Sequence, residues 1–188
     1  MKPCHILCTD GKVLSVSDFR KSEKKPIAVV FHINHDENTE GNGYAVYLWD
    51  LEPLAFADSI GVKQNTSADI TALDGFENTF ALLDARETSS PLAEKVFDMW
   101  RYGQSAYVPS VAQMRLLYHA KEQINPIIKM CGGDTISVEA DDCWYWTSTE
   151  VNEQQTAKAW LYSMGSGTIH DTPKIQAHKS RAIITLRD

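Results

Sequence analysis

The chain has 188 residues, 43% hydrophobic and 23% charged, which is enough to bury one sizeable core. Its formal net charge of -7 provides no positive field for nucleic-acid phosphates, so we expect no nucleic-acid partner. No run approaches the roughly 18 apolar residues that span a bilayer, and residues 1–8 lack the pattern of a signal peptide, so we expect no membrane insertion.

The first part of the chain has the pattern of β-strands. A short strand is predicted at residues 13–16, and the β-branched run at residues 26–33 predicts a buried central strand. Residues 43–49 alternate in a way that predicts its partner strand. The intervening residues 34–42 are rich in Asn, Asp, Glu and Gly, which predicts a hairpin loop.

The middle of the chain has helical spacing. Residues 78–85 predict a helix with Phe80 and Leu83 on one face. Residues 91–100 predict a second helix, whose apolar positions are Leu92, Val96 and either Met99 or Trp100.

A third helix has the clearest start signal in the sequence. Ser110 is placed to cap the helix and Gln113 to bond back to the cap, after which Met114, Leu117 and Tyr118 face the core. The pair Asn125-Pro126 is predicted to interrupt or restart this helix, and the turn at residues 132–134 to end it.

The last third returns to strands. Residues 144–149, 157–164, 168–170 and 180–186 predict a four-stranded meander. We find no internal repeat, linker or break in composition, so residues 1–188 are predicted to form one domain.

The four cysteines are predicted to be mostly free thiols. Cys4 and Cys8 would lie roughly 13 Å apart on one strand, which is too far for a bridge. A bridge between Cys131 and Cys143 under oxidising conditions stays an alternative.

Several short motifs follow one another in an order typical of one family. They are Asp10-Gly11, residues 26–31 and 43–46, Leu73-Asp74-Gly75, Tyr107-Val108-Pro109-Ser110, residues 145–150, Ala159-Trp160 and Arg181-Ala182. The sequence resembles the C-type lectin-like fold, in the bacterial and phage branch with the variable proteins of diversity-generating retroelements and fimbrial or surface domains. It resembles the domains of formylglycine-generating enzyme more distantly.

The resemblance implies an α+β fold, with small antiparallel sheets flanked by helices and with paired chain termini. It also implies a long loop region, here residues 151–157 and 165–179, that presents the ligand. We therefore expect a non-enzymatic domain that recognises a protein or a glycan. The residues expected to bind the ligand, by position in the fold, are Asn152, Gln154, Lys158, Tyr162, His170, Lys174 and His178.

We expect no metal and no cofactor. The Glu-Pro-Asn and Gln-Pro-Asp loops of calcium-dependent sugar lectins are absent, and Asp141, Asp142 and Glu150 are interpreted as solvated loop carboxylates. His32 and His35 would point to opposite faces of a strand, which disfavours joint ligation.

Two other functions stay open. The first is a metal- or thiol-dependent enzyme related to the formylglycine branch, in which Cys131 and Cys143 would be essential. The second is a structural component of a virion or fimbria. The location stays open, with the cell surface or a phage particle suggested by the related domains and the cytoplasm as the alternative. Finally, we expect at least two of four aromatic residues to lie in the core: Trp144, Trp146, Trp160 and Tyr162.

Overall fold

The computed structural model describes residues 1–37, 39, 41–99 and 105–187. Over these residues the chain forms mixed α/β structure in which small antiparallel sheets are combined with helices. The strands are Ile6–Cys8 (β1), Val13–Leu14 (β2), Pro26–Ile33 (β3), Gly43–Tyr47 (β4), Leu51–Ala55 (β5), Trp144–Glu150 (β6), Lys158–Ser163 (β7), Ile169–Pro173 (β8), Ala177–Ser180 (β9) and Ile183–Leu186 (β10). The helices are Val16–Lys21 (α1), Gly75–Asp84 (α2), Pro91–Phe97 (α3) and Val111–Met130 (α4).

The largest sheet has the strand order β10-β4-β3-β1-β2. The predicted pairing of β3 with β4 is confirmed, with Val29 opposite Val46. The expected pairing of the chain termini is wrong. Strand β10 lies against β4 and strand β1 lies against β3, so the β3–β4 hairpin separates the two terminal strands.

Two smaller sheets complete the structure. Strands β6, β7 and β8 form a meander, and β5 pairs with β9. The predicted fourth strand of this meander is wrong because residues 180–186 are divided. Residue Ser180 ends β9, which pairs with β5, whereas β10 closes the large sheet.

Helix α4 begins as predicted. The Gln113 backbone N–H donates to Ser110 Oγ at 3.3 Å, and the Ser110 N–H donates to Gln113 Oε1 at 3.0 Å. The predicted interruption at Pro126 is wrong, because the helix continues to Met130. The Asn125 side chain donates to the Ile136 carbonyl at 3.1 Å and accepts from its N–H at 2.8 Å, which ties this part of the helix to the segment that follows it.

Helices α2 and α3 differ from prediction in detail. Phe80 is 53% exposed, so it does not lie on the buried face of α2. That face instead includes Leu82 and Thr79, whose hydroxyl accepts from the Val108 N–H at 2.9 Å. In α3 Leu92 and Val96 are buried as predicted, whereas Trp100 lies outside the described residues.

The large sheet is covered on both faces. Ala28 and Val30 of β3 face one cluster of buried residues, and Val29 and Phe31 face the other, which includes Met114 of α4. Trp146 and Tyr162 are buried, which confirms that at least two of the four aromatics belong to the core. All four cysteines are free thiols. No helix in the described ranges is long and apolar enough to cross a membrane.

Candidate functional site

A groove of about 550 Å³ lies on one face of the β6–β7–β8 meander, and we call it the aromatic groove. Trp144 stands two residues before Trp146 on β6, and His170 of β8 lies opposite Leu161 of β7, which puts these side chains on one face of the sheet. Strand β9 supplies the other wall. The lining residues are Pro53, Asp141, Asp142, Trp144, Leu161, His170, Thr172, Pro173, Gln176, Ala177, His178 and Lys179.

Two histidines stand against the aromatic rings. The His170 ring meets Trp144 edge-on with 6.1 Å between centroids, and its Nδ1 lies 3.2 Å from Thr172 Oγ1. The His178 ring meets Trp146 edge-on at 5.3 Å. Burial and the neighbouring His170 lower the pKa of His178. At neutral pH a neutral imidazole carries one donor and one acceptor, which suits a polar ligand group.

One end of the groove is acidic. Asp141 and Asp142 are both exposed there. Lys179 donates to Asp142 at 2.7 Å and lies 3.6 Å from Asp50. The hydrogen bond from Lys179 lowers the pKa of Asp142, so this carboxylate stays charged at neutral pH.

The residues predicted to bind a ligand do not share one surface. His170 and His178 line the aromatic groove together. Asn152 lines a separate depression with Trp160, of about 510 Å³. Lys158 pairs with Asp171 at 2.8 Å, and both side chains are partly exposed.

The other predicted ligand residues have different environments. Gln154 is exposed in the turn between β6 and β7, where its carbonyl accepts from the Lys158 N–H at 2.9 Å. Tyr162 is 1% exposed and packs against Tyr118 with 6.1 Å between ring centroids. Its place in the core leaves little of the side chain for a surface ligand.

Lys174 was expected on an exposed ligand-binding face, and this is wrong because its side chain is fully buried. Its ammonium donates to Glu150 Oε2 at 2.5 Å, to Gln64 Oε1 at 3.0 Å and to the Val62 carbonyl at 3.3 Å. These three acceptors use all three of its N–H donors. Burial lowers the pKa of Lys174, and the Glu150 carboxylate opposes that effect.

Glu150 is also not a solvated loop carboxylate, since its side chain is fully buried. It accepts hydrogen bonds at 3.0 Å from the Gln64 N–H, the Thr66 N–H and the Thr66 hydroxyl. The pair of Lys174 and Glu150 therefore holds the long segment between β5 and α2 against the meander.

The environments of the cysteines do not favour a reactive thiolate. Burial raises the pKa of Cys131 to about 11, so this thiol is protonated at neutral pH. The Cys143 sulfur lies 3.4 Å from the Ser163 hydroxyl. Within the described ranges, no group of three or more His, Cys, Asp and Glu side chains is placed to hold a metal ion.

Sequence reasoning missed most of the groove wall. Trp144 is one of the four aromatics expected to lie partly in the core, and its spacing from Trp146 places both on one face of β6. Strands β5 and β9 are not predicted, so the sequence does not connect Pro53 with His170. Two signals point to this face, namely the alternation on β6 and the expected ligand region at residues 165–179, which contains His170 and His178.

The comparisons with known proteins concern the fold. No family model matches the sequence, and no curated protein matches it. The structure is similar to that of a fimbrial protein from Bacteroides ovatus ATCC 8483, with a TM-score of 0.78 and 15% sequence identity. The match covers 99% of this chain and 49% of the fimbrial protein, so the chain spans about half of that protein's length. The chain therefore shares a fold with part of a fimbrial protein.

Proposed function

We propose that this chain is a non-enzymatic recognition domain of C-type lectin-like fold that binds a protein or glycan in the aromatic groove. The observation that carries the proposal is the groove itself, where Trp144, His170 and His178 converge on one open face. Binding sites are commonly concave and largely apolar, with a few polar groups that orient the ligand.

The surroundings of the groove favour a preformed site. Trp144, Leu161 and His170 lie on three adjacent hydrogen-bonded strands. The Trp146 indole N–H donates to the Leu54 carbonyl at 2.9 Å, which ties β6 to β5 beneath the groove. A ligand would therefore order few side chains on binding, and the entropic cost of association would be small.

The groove's composition favours binding over thiol chemistry. Among its described lining residues there is no cysteine and no serine, and its hydroxyl group, on Thr172, already contacts His170. The aromatic and imidazole rings offer flat, rigid contact surfaces, which are frequent at binding hot spots.

The fold shared with a fimbrial protein supports a location at the cell surface or in a fimbria. It also favours a second candidate function, that of a structural component of the fimbria. In that case the groove would face another subunit of the same assembly instead of a host ligand.

Binding to glycan and host-surface protein arrays tests the proposal. The groove variant is His170→Ala with Gln176→Ala, both exposed positions. The matched control is Asn152→Ala with Gln154→Ala, at exposed positions outside the groove. We expect the groove variant to lose at least about tenfold in affinity at unchanged thermal stability, as central contacts do. Loss in the control variant alone would refute the assignment of the groove.

A further inference from the structure

The aromatic groove continues into a second depression of about 510 Å³, which we call the acidic trough. Asp142 lines both, so the two depressions adjoin and one extended ligand could contact both. The residues of the trough are Asp50, Asn125, Asp134, Thr135, Ile136, Ser137, Val138, Glu139 and Asp142.

The carboxylates of this combined surface outnumber its cations. Its described lining residues include five carboxylates, namely Asp50, Asp134, Glu139, Asp141 and Asp142. Lys179 is the cation among these lining residues, and the buried Arg181 pairs with Asp50 at 2.9 Å. Five negative charges against two positive ones leave three uncompensated.

The uncompensated charge lies on three exposed side chains, Asp134, Glu139 and Asp141. Asp134 is held by the backbone, because its Oδ2 accepts from the Asp50 N–H at 3.2 Å. Asp50 and Asp142 are both held by Lys179. Asp141 and Glu139 are exposed, and neither forms an ion pair with any residue that the structure describes. Asp141 lines the groove and Glu139 lines the trough, so a ligand that spans both would place a cation near them.

We propose that the groove and trough together bind a cationic protein segment, with an apolar or aromatic side chain close to one or more Lys or Arg residues. This inference rests on the proposed function. The apolar side chain would pack against Trp144 and Leu161, and the cation would lie near Asp141 and Glu139. A neutral glycan would leave the two carboxylates unused, and an anionic ligand would be repelled.

Three synthetic peptide pools on one scaffold test the proposal. Each pool has a fixed central Trp or Leu, flanked by Lys in the first pool, Ser in the second and Glu in the third. Fluorescence anisotropy measures their affinity for the full chain at low and high NaCl. We expect the Lys pool to bind about tenfold tighter than the Ser pool at low salt, with most of that advantage lost at high salt through screening.

Two matched variants locate the effect. Glu139→Gln with Asp141→Asn should remove the higher affinity for the Lys pool and leave the affinity for the Ser pool unchanged. Glu94→Gln with Glu122→Gln removes the same charge from exposed positions on α3 and α4, and it should retain most of the advantage.

The outcomes separate this proposal from the broader one. Equal binding of the Lys and Ser pools, lost in the variant His170→Ala with Gln176→Ala, would overturn the cationic preference and keep the groove as a binding site. Binding to glycans with no binding to any peptide pool would overturn the proposal of a protein ligand and retain the proposal of a recognition domain. Failure of both the pools and the arrays would overturn both proposals.

Discussion

Replacement of Lys174 by alanine tests whether the buried ion pair holds the long segment between β5 and α2. Two ion pairs in the chain have similar lengths but different surroundings. Lys174 lies 2.5 Å from Glu150 with both side chains 0% exposed, whereas Lys158 lies 2.8 Å from Asp171 with exposures of 34% and 38%. The two distances are too similar to predict different contributions to stability. The difference in burial therefore decides how much each pair contributes.

The expected magnitude follows from the charge left behind. In Lys174→Ala the Glu150 carboxylate stays buried and keeps its three hydrogen bonds to residues 64 and 66, but it loses its counter-ion. Removing one partner of a buried pair costs about 3–5 kcal/mol. For a chain of this size that lowers the melting temperature by roughly 6–20 °C. Lys158→Ala should change stability little, because water solvates the charge that remains.

Urea and thermal unfolding of both variants measure the difference. The rescue variant combines Lys174→Met with Glu150→Gln, which removes both charges and keeps an acceptor for the Thr66 N–H. We expect it to recover at least half of the lost stability. Equal stability of Lys174→Ala and Lys158→Ala would show that the buried pair is not what holds this segment.

Three further variants test the fold and its pH response. Ser110→Ala should cost about 1 kcal/mol in urea unfolding through loss of the α4 cap, and a value near zero would contradict the capping box. Gly133→Ala would place a Cβ 2.5 Å from the Leu48 carbonyl oxygen, so it should cost about 1–3 kcal/mol, while normal stability would mean that the loop yields. The pKa of His178 is lowered in the folded chain. As pH drops below about 6.5, His178 is protonated in the unfolded chain before it is protonated in the folded chain, so the free energy of unfolding decreases. In His178→Gln the slope of unfolding free energy against pH should be smaller, with the contributions of His5 and His32 retained; an unchanged slope would refute this.

The elements that sequence predicts well have local causes. The β3–β4 hairpin follows from a β-branched run and a polar loop between partners close in sequence. The start of α4 follows from Ser110 and Gln113, only three residues apart. In both cases the interacting residues lie within one short window of sequence.

The elements that sequence misses depend on distant residues. Strand β9 has only four residues, and its partner β5 lies more than a hundred residues earlier. Helix α4 continues through Pro126, and the neighbouring Asn125 side chain bonds to Ile136, eleven positions away. The expectation that Lys174 is exposed is wrong for the same reason, since the acceptors of its ammonium lie on other segments of the chain.

The burial of Lys174 changes how loss of binding must be interpreted. It directly follows Pro173, which lines the aromatic groove, yet its ammonium lies in the interior beside Glu150. Lys174→Ala would destabilise the fold and thereby disturb the groove. A binding measurement without a stability measurement could not distinguish this from the loss of a contact with the ligand. His170→Ala removes an exposed ring from the same groove without breaking a buried ion pair. If Lys174→Ala loses binding and stability together while His170→Ala loses binding alone, then Lys174 supports the site and His170 contacts the ligand.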